Sequence, residues 1–270
     1  MAESILIATD LTARGDRPFA RAKMLSRSWH AECAILFVNS GKSPVDETRV
    51  RASLIRNYGD DAEGCDLVVE SGSAPKIIAE TASRLNSDLI IVGAARHNNI
   101  SDFFLGTAVD HLVHHAHAPV LVVKERPRAP YQTIMVATDF SDCSRHALQT
   151  AMDLFPDAKI ELVHAYHVAY EAWIKSDVVA DEMKTAAERE MQKFTDNLNL
   201  ADADRSRIAS SLVEGNLHQS IYNLLDSGNI DLLVLGTHGR GGLASATIGS
   251  RASEMLEWSP VDVMMVGKPR

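Results

Sequence analysis

The residues with the clearest chemical potential are glycines. Gly236-Thr237-His238-Gly239-Arg240 leads to Gly249-Ser250, with nine residues between Gly239 and Gly249. An apolar run, Asp231 to Leu235, precedes this stretch, and a helix-like run, Arg251 to Leu256, follows it. A glycine-rich loop between a strand and a helix can cradle phosphate. The backbone approaches an anion closely where no Cβ intervenes, and the N–H groups at the helix start point at it. The competing reading is a glycine-rich structural turn. An altered copy lies earlier, where nine residues separate Gly93-Ala94-Ala95-Arg96 from Gly106-Thr107. Asp10 and Asp139 end two matching apolar runs. Each could meet a ligand, or serve as a turn or cap carboxylate beside Thr12 or Ser141.

Histidines form the second group. His111 shares a helical face with His114 or His115, a spacing that can hold Zn²⁺, and His117 is close in sequence. Asp110 is expected to point elsewhere, and no cysteine or spaced carboxylate completes a site. Polar surface residues near a helix C-terminus are therefore the expectation, with no metal assigned. His238 could move protons or neutralise phosphate, although a solvent-facing loop side chain is the simpler reading. No Ser-His-Asp order, HExxH, CxxC or GxxxxGK[ST] occurs. No catalytic residue is assigned.

These residues need strand ends and helix starts to hold them. Ile5 to Asp10 matches Ile134 to Asp139 at an offset of 129. Asp88 to Gly93 matches Asp231 to Gly236 at 143, as Gly106-Thr107 matches Gly249-Ser250, and Pro119-Val120 matches Pro260-Val261 at 141. The order is kept, so the chain is a duplicated domain, 1–127 and 131–270, with a stiff linker holding Pro127 and Pro130. The extra residues of the second copy fall in the helix-like stretch 177–198, rich in Glu and Lys, which reads as a solvated helix face. Predicted strands are 5–8, 34–38, 66–69, 89–92 and 120–123, then 134–137, 159–164, 208–213, 232–235 and 261–266. Helix patterns lie between them, such as 18–28, 75–85, 144–154 and 219–225. Continuous Val/Ile/Leu runs joined by helices predict an α/β fold: two tandem doubly wound, five-stranded parallel-sheet domains of Rossmann-like type. Ligands of such sheets bind beyond the carboxyl ends of the strands, where Asp10, Gly93, Asp139 and Gly236 lie.

Composition agrees with a globular protein, at 46% hydrophobic and 23% charged. The net charge of −9 comes mostly from the second copy, which has 12 Lys+Arg against 20 Asp+Glu, where residues 1–129 have 15 against 16. Neither half resembles a basic nucleic-acid surface, and no run is long enough to span a membrane. The N-terminal residues lack a basic stretch, and the three cysteines, Cys33, Cys65 and Cys143, form no spaced motif. A cytoplasmic setting with unconnected thiols is expected.

The pattern Gly-x2-Gly-x9-Gly-[Ser/Thr] at Gly236, Gly239, Gly249 and Ser250 resembles the nucleotide signature of universal stress proteins. The Ala-Thr-Asp ending of the first strand and the closing Pro-Val strand extend the resemblance over both repeats. It implies an ATP-binding stress-response protein, or one binding AMP or ADP, with Mg²⁺ or Mn²⁺ bridging the phosphates. In the second domain it places Ala137 and Asp139 beside the ribose or adenine, and the Ala165 backbone at the adenine edge. It gives Gly236 and Gly239 to the phosphates, and Gly249 and Ser250 to the phosphate tail. The first domain keeps Ala8, Asp10, Val38, Gly93, Gly106 and Thr107, but Arg96 stands at the second glycine. A long side chain there blocks close approach, or else folds its guanidinium onto a phosphate. The resemblance also implies an intramolecular pseudo-dimer, its sheets merged through 120–123 and 261–266, and leaves open a homodimer. An interaction protein without a working nucleotide site, or a slow ATPase, are the alternatives.

Overall fold

The computed structural model describes residues 2–12, 15–41, 43–62, 64–94, 105–166, 177–215, 217–238 and 248–268. The first half runs β1 (Ser4–Thr9), α1 (Asp16–Trp29), β2 (Glu32–Asn39), α2 (Glu47–Tyr58), β3 (Asp66–Ser71), α3 (Ala74–Arg84), β4 (Leu89–Gly93), α4 (Leu105–His115) and β5 (Val120–Val123). The second half repeats this order: β6 (Thr133–Ala137), α5 (Asp142–Leu154), β7 (Lys159–Tyr166), α6 (Asp177–Asp196), a single turn α7 (Asp202–Arg205), β8 (Ile208–Glu214), α8 (Leu217–Asp226), β9 (Leu232–Gly236), α9 (Ser250–Trp258) and β10 (Asp262–Val266). The extra residues of the second copy do lie in α6, which has 20 residues where α2 has 12.

All ten strands belong to one sheet, ordered β3-β2-β1-β4-β5-β10-β9-β6-β7-β8. Strands within each half are parallel. The halves meet through antiparallel β5 and β10, with Val122 opposite Val263 and Leu121 opposite Met264. That pairing closes an edge on each half that would otherwise expose a row of backbone donors and acceptors.

Alternate strand residues feed two apolar layers, as the period of two requires. Ile5, Ile7, Ile134 and Val136 pack on one face against Phe19, Ala22 and Leu25 of α1, Leu54 of α2, Leu148 of α5 and Phe194 of α6. Leu6, Ile90, Met135 and Leu233 pack on the other against Ile78 of α3, Leu112 of α4, Ile221 of α8 and Leu256 of α9. Both layers run across the two halves. Each fully buried aliphatic side chain contributes about 1.5–3 kcal/mol. In α6 the buried Ala187, Met191 and Phe194 recur at helical spacing, with buried Leu198 just past its end, while Glu188 and Lys193 are exposed.

The linker is fastened by one buried carboxylate. Asp262, 1% exposed, accepts from the N–H groups of Lys124 (2.7 Å) and Glu125 (3.0 Å) and from the Tyr131 hydroxyl (2.6 Å). The Nε of Arg21, also buried, lies 3.5 Å from it, and the guanidinium stacks over the Tyr131 ring at 3.9 Å. Second-half strand, linker and first-half helix are thereby joined through one charge pair.

Candidate functional site

In the second half the sheet order reverses between β6 and β9, since the chain leaves β6 towards β7 and returns on the other side as β9. Such switch points open a crevice at the carboxyl ends of the strands. The predicted residues converge there. Ala137 closes β6 in register with Val163 and Leu235. Asp139 lies two residues beyond it, and Ala165 two residues beyond Val163, so the two sit at one level. Gly236 ends β9.

Hydrogen bonds tie these loops together. The Ser141 hydroxyl donates to the carbonyl of His238 (3.4 Å), and the N–H of Gly249 donates to the carbonyl of Thr237 (2.9 Å). The ring of His164 donates from Nδ1 to the carbonyl of Thr138 (2.7 Å). Because a carbonyl only accepts, that nitrogen carries the proton. The loop after β6 is thus braced from β7 and from the loop after β9.

Asp139 holds its own turn. Its Oδ1 accepts from the N–H of Ser141 at 3.1 Å, the turn role considered for it from sequence. Ser141 in turn caps α5, its hydroxyl accepting from Ser144 N–H at 3.2 Å. Gly236 also has a packing reason. A Cβ there would lie 2.9 Å from the carbonyl carbon and oxygen of Cys143, which are backbone and cannot yield. Gly249 differs. Its φ is −56°, and among the described residues a Cβ would meet the Thr237 carbonyl at 3.5 Å, an ordinary contact. It is the N-cap of α9 and offers no side-chain cap to the first-turn N–H groups, and Ser250, the first helical residue, is exposed. Gly239 lies outside the described residues, as does Arg96.

In the first half, Asp10 and Gly93 flank the equivalent reversal between β1 and β4. Asp10 Oδ1 accepts from Thr12 N–H (2.9 Å) and the Thr12 hydroxyl (2.8 Å). Val38 is half-buried near the end of β2. Gly106 and Thr107 are helical within α4, whereas Gly249 precedes α9.

Two histidine expectations change. His238 does not face solvent: it is 8% exposed, and its Nδ1 lies 3.0 Å from the Thr237 hydroxyl. Nor does Asp110 point away. Its Oδ1 is 3.6 Å from Nδ1 of His114 and accepts from the N–H of Ile248, just before Gly249. The His114 ring stands edge-on to that of His238 at 5.3 Å. Helix α4 of the first half therefore props the glycine loop of the second. No local sequence signal marked this contact, which exists only because β5 pairs with β10. His111 and His115 stack at 4.0 Å, and partial burial together with the neighbouring His115 lowers the pKa of His111. Among the described residues no group of three or more His, Cys, Asp or Glu side chains is placed to hold a metal ion. None of the helices so described is long and apolar enough to cross a membrane.

Comparison with known proteins places this architecture. A universal stress protein of Mycobacterium tuberculosis is 27% identical over 140 residues, 50% of this chain and 96% of that protein. One from Mycolicibacterium smegmatis is 28% identical over 194 residues, 68% of this chain and 63% of that protein. The match to a Synechocystis universal stress protein, 26% identical, spans 36% of this chain and 66% of that protein. Among solved structures, a universal stress protein from Archaeoglobus fulgidus superposes with a TM-score of 0.65 at 18% identity, covering 98% of this chain and 96% of that one. A Pseudomonas aeruginosa protein of unknown function gives 0.68 at 18% identity, covering 99% and 93%. The model of the universal stress protein family matches twice, over residues 1–124 and 130–267. The chain belongs to the universal stress protein family, as two such domains in tandem.

Proposed function

We propose that the second domain binds an adenine nucleotide (ATP, or ADP or AMP) and that the chain acts as a nucleotide-binding regulator in a stress response. The observation that carries this reading is the convergence at the β6–β9 switch point. Asp139, Ala165, Gly236 and the Gly249 cap of α9 meet there on hydrogen-bonded loops. Protein packing does not demand glycine at 249, and what its missing Cβ leaves open is the approach to an uncapped helix start. That is the chemistry a phosphate tail uses. Gly239 and the Ser250 hydroxyl would complete the cradle. A Mg²⁺ or Mn²⁺ ion would ride on phosphate oxygens and water instead of a protein cage. The domains would act as a pseudo-dimer, the first of them structural. Arg96 stands at its second glycine position, and α4 braces the neighbouring loop.

Calorimetric titration of the full chain with ATP, ADP and AMP tests this. One site per chain is expected, abolished in Gly239→Arg with unfolding temperature unchanged. Equal binding by wild type and variant would overturn the assignment.

A second reading has its own support. Asp139 and Gly236 both have structural explanations, so an interaction protein could keep them without a ligand. Absence of nucleotide from gently purified protein, with no thermal shift on adding ATP or AMP, would decide for it.

A further inference from the structure

Cys33 and Cys65 are 32 residues apart in sequence. The fold puts them side by side. Parallel β2 and β3 pair Ala34 with Asp66, and the cysteines sit one residue earlier on each chain segment. Both are buried in the same apolar layer, Cys33 8% and Cys65 5% exposed. Neighbouring strands lie about 4.8 Å apart, within the Cα separation that a disulfide spans. The two thiols interact directly, and their environments are unequal. The Lys23 ammonium of α1 lies 3.6 Å from the Cys65 sulfur, and the carbonyl of Asp61 lies 4.0 Å from it. The Lys23 charge is felt by Cys33 as well, but the hydrogen-bond contact of Lys23 is with the Cys65 sulfur.

This asymmetry sets the proton. The neighbouring Cys33 thiol and the Lys23 charge, against the opposing effect of burial, bring Cys65 down to about 7, whereas the neighbouring Cys65 and burial push Cys33 up. A thiolate beside a thiol, stabilised by a cation, is the arrangement of an attacking and a resolving cysteine. Access exists too. Lys23 and Asp61 line a cleft of about 540 Å³ between α1 and the end of α2, walled by Phe19, Met24 and Tyr58.

We propose that Cys33 and Cys65 form a peroxide-oxidised dithiol, with Cys65 attacking and Cys33 resolving. The Cys65 thiolate attacks one oxygen of a hydroperoxide. The S–O bond forms, the O–O bond breaks, and the departing alkoxide or hydroxide takes a proton to leave as alcohol or water. The Cys33 sulfur then attacks the Cys65 sulfenic acid. The S–S bond forms, the S–O bond breaks, and hydroxide leaves as water with the Cys33 proton. Two thiols lose two electrons and the hydroperoxide gains them. Lys23 is a positioning residue that holds the thiolate, and the product would fasten edge strand β3 to β2.

The test treats the full chain with a few equivalents of hydrogen peroxide, blocks remaining thiols with N-ethylmaleimide, and maps unreduced peptides by mass spectrometry. A Cys33–Cys65 linked peptide is expected, lighter by two hydrogens, with Cys143 alkylated. Cys33→Ser should leave a Cys65 sulfenic acid that dimedone captures, and Cys65→Ser should lose rapid peroxide consumption. Lys23→Met should slow oxidation several-fold and Lys23→Arg should restore it. Full alkylation of both cysteines after peroxide, or wild-type peroxide consumption in Cys65→Ser, overturns the proposal. The wild-type peptide map is decisive even if a variant folds poorly.

Discussion

The turns that follow β1 and β6 have the same backbone and are completed by different side chains. In each, a threonine hydroxyl accepts from the N–H two residues on: Thr9 from Leu11 at 3.1 Å, Thr138 from Phe140 at 2.9 Å. In each, the middle residue is left-handed, with φ of 62° at Leu11 and 64° at Phe140. In each, an aspartate oxygen holds the next N–H. The second turn is finished by Ser144, whose hydroxyl bonds Thr138 Oγ1 (2.8 Å) and donates to the Ser141 carbonyl (2.9 Å). The first turn has Gly15 at the matching position, 129 residues earlier, and the hydroxyl comes from Tyr58 at the end of α2. Tyr58 makes the same two bonds, to Thr9 Oγ1 (2.7 Å) and to the Thr12 carbonyl (3.2 Å). A Cβ on Gly15 would lie 1.9 Å from the Tyr58 oxygen. One hydroxyl position is thus filled from within the turn in one domain and from a distant helix in the other. The turn, aspartate included, therefore belongs to the fold. The proposed difference in ligand binding between the domains must then lie in the glycine loop and in what braces it.

The two domains differ most in the asymmetric clamp, and removing it should have the largest effect. Val263 faces Leu233 as Val120 faces Ile90, so position 262 matches Pro119 of the first domain, and only the second domain places a carboxylate there. Asp262→Ala would leave Arg21 buried without its partner and the Tyr131 hydroxyl without its acceptor. A loss of about 3–5 kcal/mol is expected, read by denaturant unfolding. The pair also sets a pH response. Burial, then the Asp262 charge, raise Tyr131 well above the ordinary phenol value. The folded state therefore holds the proton after the unfolded chain releases it. The stability this group contributes is complete below about pH 10 and lost as pH rises beyond it. Tyr131→Phe should flatten that part of the alkaline decline, and an unchanged decline would show that other groups cause it.

The glycines ending β4 and β9 give the next contrast. Gly236→Ala drives a methyl into the Cys143 backbone and should cost about 1–3 kcal/mol. At Gly93 the same methyl meets Pro18 Cγ at 3.5 Å, an ordinary contact. Gly93→Ala should therefore change stability by no more than about 0.5 kcal/mol. Equal losses on chemical denaturation would mean that the two strand ends pack alike.

The exchange of hydroxyls can be tested by reversing it. Gly15→Ser should destabilise by about 1–2 kcal/mol, because Tyr58 is held by its two bonds and by stacking on Phe19 at 4.8 Å. Adding Tyr58→Leu opens the space and lets the new serine hydroxyl bond Thr9. Part of the loss should return, and a double variant weaker than the sum of the singles would reject the equivalence.

Strand runs and the internal offsets made the doubled α/β fold legible, because period and order survive without tertiary detail. Each observed strand overlaps the run read for it, with ends moved by one or two residues, such as Glu32–Asn39 around 34–38. Legible too were the strand-end placements of Asp10, Asp139, Gly93 and Gly236. The partners that decide their roles were not. Tyr58 reaches Thr9 across 49 residues, and Asp110 reaches Ile248 across 138. Such contacts follow from sheet order, which local periodicity does not encode. The same holds for Cys33 and Cys65, widely spaced in sequence and each one residue before the paired Ala34 and Asp66.

The smallest expected change in stability is the one that best separates turn from ligand. An asparagine oxygen can accept the same N–H that Asp139 and Asp10 accept. Asp139→Asn and Asp10→Asn should each keep the turn and shift unfolding by less than about 0.5 kcal/mol. Nucleotide binding should respond to only one of them. If the second carboxylate oxygen of Asp139 receives ribose hydroxyls, replacing it with an amide nitrogen removes an acceptor and sets a donor in its place. Affinity should then fall by about tenfold or more, and Asp10→Asn should leave it unchanged. Calorimetry on the two variants reads this directly. Equal affinity in both would reduce Asp139 to the turn residue that Asp10 is, and would leave the glycine loop as the whole basis for distinguishing the domains.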